Sequence, residues 1–252
     1  MNEKCNYTKQ AENWKRNSPI SLSDFVARPF LFSEIKNILK NKAVLDAGCG
    51  EGYFARKIAY KCKSITAMDL SKGMIKIAIE QETETPLGIK YHVGNVLNLK
   101  QIPDDSIDVY ISSMVVHYLL PKDLNKFYKE INRVLKKNGQ FFILLCHPNL
   151  IDLYKDDSKK AIKLKNKIID LKDYNKKGLY YEIIMKTINN KSLIVGFVNY
   201  DLEDHKYSIN NNNLKLNYIK EITVPKIISL EAPIYSDLIG DKMYLFFKGK
   251  KI

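Results

Sequence analysis

Apolar positions along the chain follow two rhythms, short continuous runs of strand length and longer stretches at helical spacing, and the two alternate. Residues 1–40 read as amphipathic helix, interrupted at Ser18-Pro19 and at Arg28-Pro29. Val44-Leu45 begin a short buried strand that runs into Asp46-Ala-Gly-Cys-Gly-Glu-Gly52. A helix follows over 53–60, with Phe54, Ile58 and Ala59 on one face. A second strand covers 65–68 and ends at Asp69. Ser71 is placed to cap a helix over 72–80, whose Met74, Ile75 and Ala78 face inward. A third strand reaches Val93 and a fourth covers 107–111. A helix then spans about 123–136, with Asn138-Gly139 as its stop, and 140–146 make a strongly apolar fifth strand.

Strands alternating with helices at this spacing predict an α/β fold, a doubly wound parallel sheet covered on both faces. Two further apolar segments, 219–224 and 242–248, are expected to return to the sheet edge as an antiparallel pair, making seven strands. Between them and the fifth strand the pattern changes. A lysine-rich helical stretch is expected over 156–177, then strands over 179–187 and 193–200 joined by Asn189-Asn190-Lys191. This segment is too long for a plain connection, so it reads as a cap over a site. The asparagine tract 210–213 reads as loop. The expected organisation is an N-terminal helical segment (1–42), a core (43–146 and 216–252) and an inserted cap or lid (147–215).

Composition narrows the class. The chain has 252 residues, 45% hydrophobic and 27% charged, which is ordinary for a globular protein. Its longest aliphatic and aromatic run, 141–146, is far short of a bilayer span, and the first residues lack the apolar core of a secretion signal. Cys5, Cys49, Cys62 and Cys146 are scattered, with no CxxC pair. They fit reduced cytoplasmic thiols and no metal site. The net charge of +13 raises nucleic acid as a partner, yet only four of the 41 basic residues are arginine: Arg16, Arg28, Arg56 and Arg133. Base readers and phosphate clamps favour the planar guanidinium fork, so nucleic acid is disfavoured.

In a sheet of this kind ligands bind beyond the carboxyl ends of the strands. Asp46, Asp69, Asn95 and Ser112 stand at or just after predicted strand ends, so topology alone gathers four polar side chains on one edge. The glycines at 48, 50 and 52 allow a tight turn between strand and helix and close approach of a ligand. The free N–H groups of the helix that follows favour a carboxylate. A dinucleotide site prefers GxGxxG, whereas the spacing here is GxGxG and Tyr53 holds the last place. A carboxylate at Asp46 would repel a pyrophosphate and suits an ammonium or sulfonium ion. Asp69 is placed to accept both hydroxyls of a ribose, at about 1.5–3 kcal/mol for each bond to a charged group. An amino-acid carboxylate, a positive centre and an attached ribose together describe S-adenosylmethionine.

With these residues in place the sequence resembles the class I S-adenosylmethionine-dependent methyltransferases, in particular their small-molecule branch. VLDAGCGEGYFARKIA (44–59) is similar to the family's first motif and AMDLSKGM (67–74) to its second. GNV (94–96) resembles the third, with Asn95 where an aspartate is usual. DSIDVYISSMVVHYL (105–119) resembles the fourth, and RVLKKNGQFFIL (133–144) the segment ahead of the fifth. The likeness covers about 44–146 and extends weakly to Tyr7-Thr-Lys-Gln-Ala-Glu-Asn-Trp14. It implies a Rossmann-like core that binds S-adenosyl-L-methionine and releases S-adenosyl-L-homocysteine. The implied cofactor neighbours are Tyr7, Trp14, Asp46, Ala47, Gly48, Gly50, Asp69, Leu70, Met74, Asn95, Val96, Ser112, Ser113 and His117. Ser112, Ser113 and Met114 would wall the cofactor from the acceptor.

The expected reaction moves a methyl group to an oxygen or nitrogen of a small molecule. Transfer to a hydroxyl needs a base, and the candidates are His117 after the fourth strand and His147 after the fifth, with His205 as a third. Tyr174, Tyr180, Tyr181, Tyr200 and Phe197 of the cap point to an aromatic or amphipathic acceptor. One rival is a nucleic-acid methyltransferase. Against it, the fourth motif is Ser112-Ser-Met-Val115, not Asn/Asp-Pro-Pro-aromatic, and no Pro-Cys nucleophile occurs. A second rival is a non-catalytic module that binds S-adenosylmethionine and regulates a partner. A nicotinamide dehydrogenase is the third.

Overall fold

The computed structural model describes residues 7–148, 162–164, 180–198 and 200–252. Helices α1 (Tyr7–Trp14), α2 (Leu22–Phe25) and α3 (Ala27–Ile35) precede strand β1 (Ala43–Ala47). Next come α4 (Tyr53–Ile58), β2 (Ser64–Asp69), α5 (Lys72–Glu84), β3 (Ile89–Val93), β4 (Ile107–Ser113), α6 (Pro121–Val134) and β5 (Leu135–Cys146). After β6 (Ile162–Leu164), β7 (Tyr180–Lys186) and β8 (Ser192–Val198) the chain continues as α7 (Leu202–Asn210), β9 (Leu214–Thr223), α8 (Ile228–Glu231) and β10 (Lys242–Lys251).

Seven strands form one sheet in the order β3-β2-β1-β4-β5-β10-β9. The first five are parallel, and β10 lies antiparallel between β5 and β9, as the sequence pattern predicts. Both faces are buried, which is why the inner strands read as continuous apolar runs. Val44, Val109, Ile111, Phe142, Leu144 and Phe246 face α2, α3 and α4. Leu45, Tyr110, Phe141, Ile143, Leu145 and Phe247 face α6 and α7. Strand order reverses between β1 and β4, which opens a crevice at their carboxyl ends.

Several boundaries differ from the sequence reading. Pro29 does not break a helix: it is the third residue of α3, where no intrahelical partner for its N–H exists. α6 ends at Val134 because Leu135 is fully buried and pairs with Ile107. The carbonyls of Arg133 and Val134 accept from Asp105 and Ser106 N–H. Of the helix expected over 156–177, only 162–164 are described, and these form a strand. Ile162 to Leu164 pair antiparallel with Met185 to Ile183, a ladder that overrides local propensity, and the rest of that expectation lies outside the described residues. The β7–β8 hairpin forms as expected. Residues 202–210, placed in the cap from sequence, form α7. Asp201 caps this helix, and its His205, Ser208 and Ile209 are buried. Among the described residues no helix is long and apolar enough to cross a membrane.

Candidate functional site

The turn after β1 is fastened to the tip of β2. Gly48 and Cys49 N–H both donate to Met68 O, at 2.7 and 2.9 Å. Gly48 adopts φ +84°, and a Cβ there would lie 2.1 Å from Val115 Cγ2, so only glycine fits. Asp69, at the end of β2, holds the outer part of the turn. Its Oδ2 accepts from Gly50 N–H at 2.9 Å and its Oδ1 from Ser71 N–H at 2.8 Å. Burial pushes the Asp69 carboxyl above its usual range, and these N–H groups oppose the shift.

A cavity of about 210 Å³ opens above this turn, at the crevice where strand order reverses. Gly48, Gly50, Asp69, Leu70, Met74, Asn95, Val96, Ser113 and Met114 line it, and Tyr7 and Trp14 of α1 cover it. A Cβ on Gly50 would meet no atom within 4 Å, so this part of the turn faces open space. Asn95 Oδ1 accepts from Leu97 N–H at 2.9 Å, fixing the side chain at the rim. The Tyr7 and Tyr118 hydroxyls are hydrogen-bonded to each other across the cavity mouth.

Four residues expected at the cofactor, and the candidate base His147, are not in this cavity. Asp46 and Ala47 are buried in β1 beneath the turn. Ser112 is fully buried, because alternation along β4 gives Ser113 the cavity side and turns Ser112 towards α6. In the 3₁₀ turn Val116–Tyr118, Tyr118 takes the cavity side, so His117 does not line the cavity as expected. His147 is one strand further along the sheet edge. The Oδ2 of Asp46 has no hydrogen-bond partner among the described residues. Burial pushes its carboxyl up to about 7, with Arg28 opposing and Asp69 reinforcing the shift.

Sequence reading missed Arg16 and Arg28, which both line the cavity. Arg28 Nη1 lies 2.7 Å from Asp24 Oδ1 and 2.6 Å from Ser23 Oγ. Arg16 reaches Asp24 Oδ1 at 3.3 Å and Glu51 Oε1 at 3.1 Å, and its guanidinium lies 4.6 Å from the centre of the Tyr53 ring. Arg56 closes the set, 2.7 Å from Glu51 Oε2 and 2.9 Å from Arg16 O. Burial pushes Asp24 up, but Arg16, Arg28 and the Ile20 and Ser21 N–H groups outweigh it and hold the carboxyl below its usual range. For Glu51 burial prevails over Arg16 and Arg56, and its carboxyl is raised. The signal was available in the composition. Three of the four arginines in a lysine-rich chain meet at one network, where the planar fork is needed.

A second, smaller cavity lies between the tips of β5 and β8. His117, Leu145, Cys146, His147, Pro148, Val198, Tyr200 and His205 line it, so the three candidate bases meet here and not at the glycine turn. His147 Nε2–H donates to Glu221 Oε1 at 3.0 Å, and Lys242 Nζ lies 2.6 Å from Glu221 Oε2. His205 Nδ1 is 2.9 Å from the Tyr128 hydroxyl, and burial lowers this imidazole to about 4. His117 is 2% exposed, neither ring nitrogen has a hydrogen-bond partner among the described residues, and burial lowers it to about 3. The side chains of Tyr174, Tyr180, Tyr181 and Phe197, expected at the acceptor, lie outside what is described. Tyr200 is buried. The described residues hold no cluster of three or more His, Cys, Asp or Glu able to bind a metal.

Residues 45–143, which carry the glycine turn, Asp69 and the cavity walls, match the family model of a methyltransferase domain. That stretch, about two fifths of the chain, is similar to S-adenosylmethionine-dependent methyltransferases in sequence and in fold. The chain is 34% identical over 96 residues to a malonyl-[acyl-carrier protein] O-methyltransferase of Serratia marcescens, covering 38% of this chain and 35% of the relative. It is 29% identical over 129 residues to a ubiquinone biosynthesis O-methyltransferase of Pelagibacter ubique, covering 51% and 52%. The matched stretches thus span about a third to a half of these curated relatives. The fold is similar to that of an S-adenosylmethionine-dependent methyltransferase from Mesorhizobium loti. That comparison has a TM-score of 0.65 at 19% identity and covers 88% of this chain and 96% of the other.

Proposed function

We propose that the protein is an S-adenosylmethionine-dependent methyltransferase acting on an oxygen of a small, aromatic or amphipathic molecule. The observation that carries this reading is the cavity over the glycine turn, where Asp69 holds the loop N–H groups above an Asp46 oxygen that has no partner among the described residues. These residues fit the donor. Asp69 would accept the ribose hydroxyls, and Asp46 would favour the ammonium from beneath the turn. Arg28 would bind the carboxylate, while Met74, Asn95 and Val96 would border the adenine. When bound, S-adenosylmethionine supplies an electrophilic methyl group on its sulfonium sulfur. The chain's own part is to hold both partners in line, exclude water and take up the acceptor's proton.

Oxygen is chosen over nitrogen because both curated relatives described above carry O-methyltransferase names. His147 is the base in this reading, since Glu221 orients its ring and stabilises the imidazolium that proton uptake would form. Residues 1–42 and 147–215 would close over the site, the former with Tyr7 and Trp14. A cytoplasmic setting belongs to the same proposal and accords with the free thiols of Cys49, Cys62 and Cys146.

The test is calorimetric titration with S-adenosylhomocysteine and, separately, NAD. The expected result is saturable binding of the first and none of the second; the reverse order overturns the reading. For the base, His147→Ala should lower kcat at least a hundredfold with catechol as acceptor, leaving S-adenosylhomocysteine affinity within threefold. Equal loss of both, or of neither, would remove His147 from that role.

A further inference from the structure

We propose that His117 recognises the acceptor: its two ring nitrogens, one donating and one accepting, hold a neutral hydroxyl or carbonyl oxygen that enters the small cavity between β5 and β8. This rests on the methyltransferase reading above and assigns the acceptor's chemistry within it. Natural interiors pair nearly all their buried polar atoms, and among the described residues neither nitrogen of this imidazole has a partner, which leaves both open to a guest. The other polar side chains of the wall already have bonds. Tyr200 donates its hydroxyl to the carbonyls of Val116 and Leu119, His205 is bonded to Tyr128, and His147 to Glu221. Leu145, Pro148 and Val198 supply apolar surface around the ring.

Location connects this cavity to the reaction. The 3₁₀ turn Val116–Tyr118 is a shared wall, with Tyr118 on the cofactor cavity and His117 on the smaller one. The Tyr200 hydroxyl, set between the carbonyls of Val116 and Leu119, anchors the turn, so an oxygen seated at His117 sits one residue from the wall of the larger cavity. The chemistry of the guest follows from the charge state. Burial keeps the imidazole neutral at any working pH, and Arg28 acts in the same direction. A neutral ring offers one donor and one acceptor, which match a hydroxyl or a carbonyl. A carboxylate or phosphate would require the protonated ring that burial opposes. The cavity has room for about one water-sized group, so only the polar tip of the acceptor would enter while its apolar body remains outside.

The experiment uses the full chain, ¹⁵N-labelled and saturated with S-adenosylhomocysteine, titrated with phenol, toluene and benzoate. Phenol should move the ring ¹⁵N resonances of His117, with toluene and benzoate binding at least tenfold more weakly. His117→Leu should weaken phenol at least tenfold, and His117→Gln, which keeps a donor and an acceptor, should restore it to within threefold. Unmoved His117 resonances, meaning that the cavity holds water only, would overturn the proposal. So would a preference for benzoate, or equal phenol affinity in His117→Leu. Should the leucine variant fail to fold, the wild-type and glutamine titrations decide alone. Failure of S-adenosylhomocysteine to bind would instead strike the methyltransferase reading, whatever phenol does at His117.

Discussion

Asp46 is buried near the tip of β1 with one oxygen bonded to nothing among the described residues, an arrangement that costs stability. Its carboxyl, raised from 3.8 to about 7, contributes stability fully present below pH 4 and lost as pH rises through 7. The shift of three units corresponds to roughly 4 kcal/mol, an upper figure before relaxation. Asp46→Asn should therefore raise the urea midpoint of the ligand-free protein at pH 8 and leave it almost unchanged at pH 4. A bound ammonium would favour the ionised carboxyl. Binding of S-adenosylhomocysteine near pH 7 should then release protons, detected by calorimetry in buffers of different ionisation enthalpy, and Asp46→Asn should abolish the release. Arg28 is tested by pairing two ligands. Arg28→Gln should weaken S-adenosylhomocysteine at least tenfold, since a charged hydrogen bond contributes about 1.5–3 kcal/mol. It should leave 5′-methylthioadenosine, which lacks the carboxylate, within twofold. Asp24 keeps Arg16 as a partner in this variant.

Among the elements, α1 determines how the cavity is covered. Ala11 packs on Met74 and Ile77, Thr8 Oγ1 lies 3.1 Å from Ser71 Oγ, and Gln10 Oε1 accepts from Ile194 N–H of the hairpin. The helix crosses α5 at Gly73, where a Cβ would stand 2.9 Å from Thr8 O and 3.0 Å from its Cα. Gly73→Val should displace α1 from α5 and leave the sheet intact. The expected outcome is at least tenfold faster release of S-adenosylhomocysteine in stopped flow, with faster tryptic cleavage at Lys9 and Lys15. Periodicity in 1–40 was enough to read a helix here, because an amphipathic stripe is a local property. Where that helix docks is not local. It depends on the gap at Gly73, on Ser71 and on a hairpin nearly two hundred residues away. The strand 162–164 shows the same limit, since a lysine-rich helical pattern gives way to a ladder with β7.

For the molecule as a whole, ligand and fold should be coupled, because the cavity is walled by elements from both ends of the described N-terminal half. A ligand present at 100 times its Kd adds about 2.7 kcal/mol to stability. For a chain of this length that corresponds to a rise in Tm of about 5–10 °C. S-adenosylhomocysteine should produce it in a thermal melt and NAD should not. The alternation of strands and helices over 43–146, the burial of both sheet faces, the glycine turn and the place of Asp69 at a strand end were legible in the sequence alone. They rest on periodicity, on turn chemistry and on the rule that parallel sheets bind ligands at their carboxyl ends, each readable within a few residues. Only tertiary structure decided which face of β4 turns Ser113 to the cavity, that His117 and Tyr118 part to opposite sides of one turn, and that three arginines meet around Asp24 and Glu51. Those outcomes depend on contacts between segments far apart in the chain, and packing settles them only once the sheet has brought those segments together.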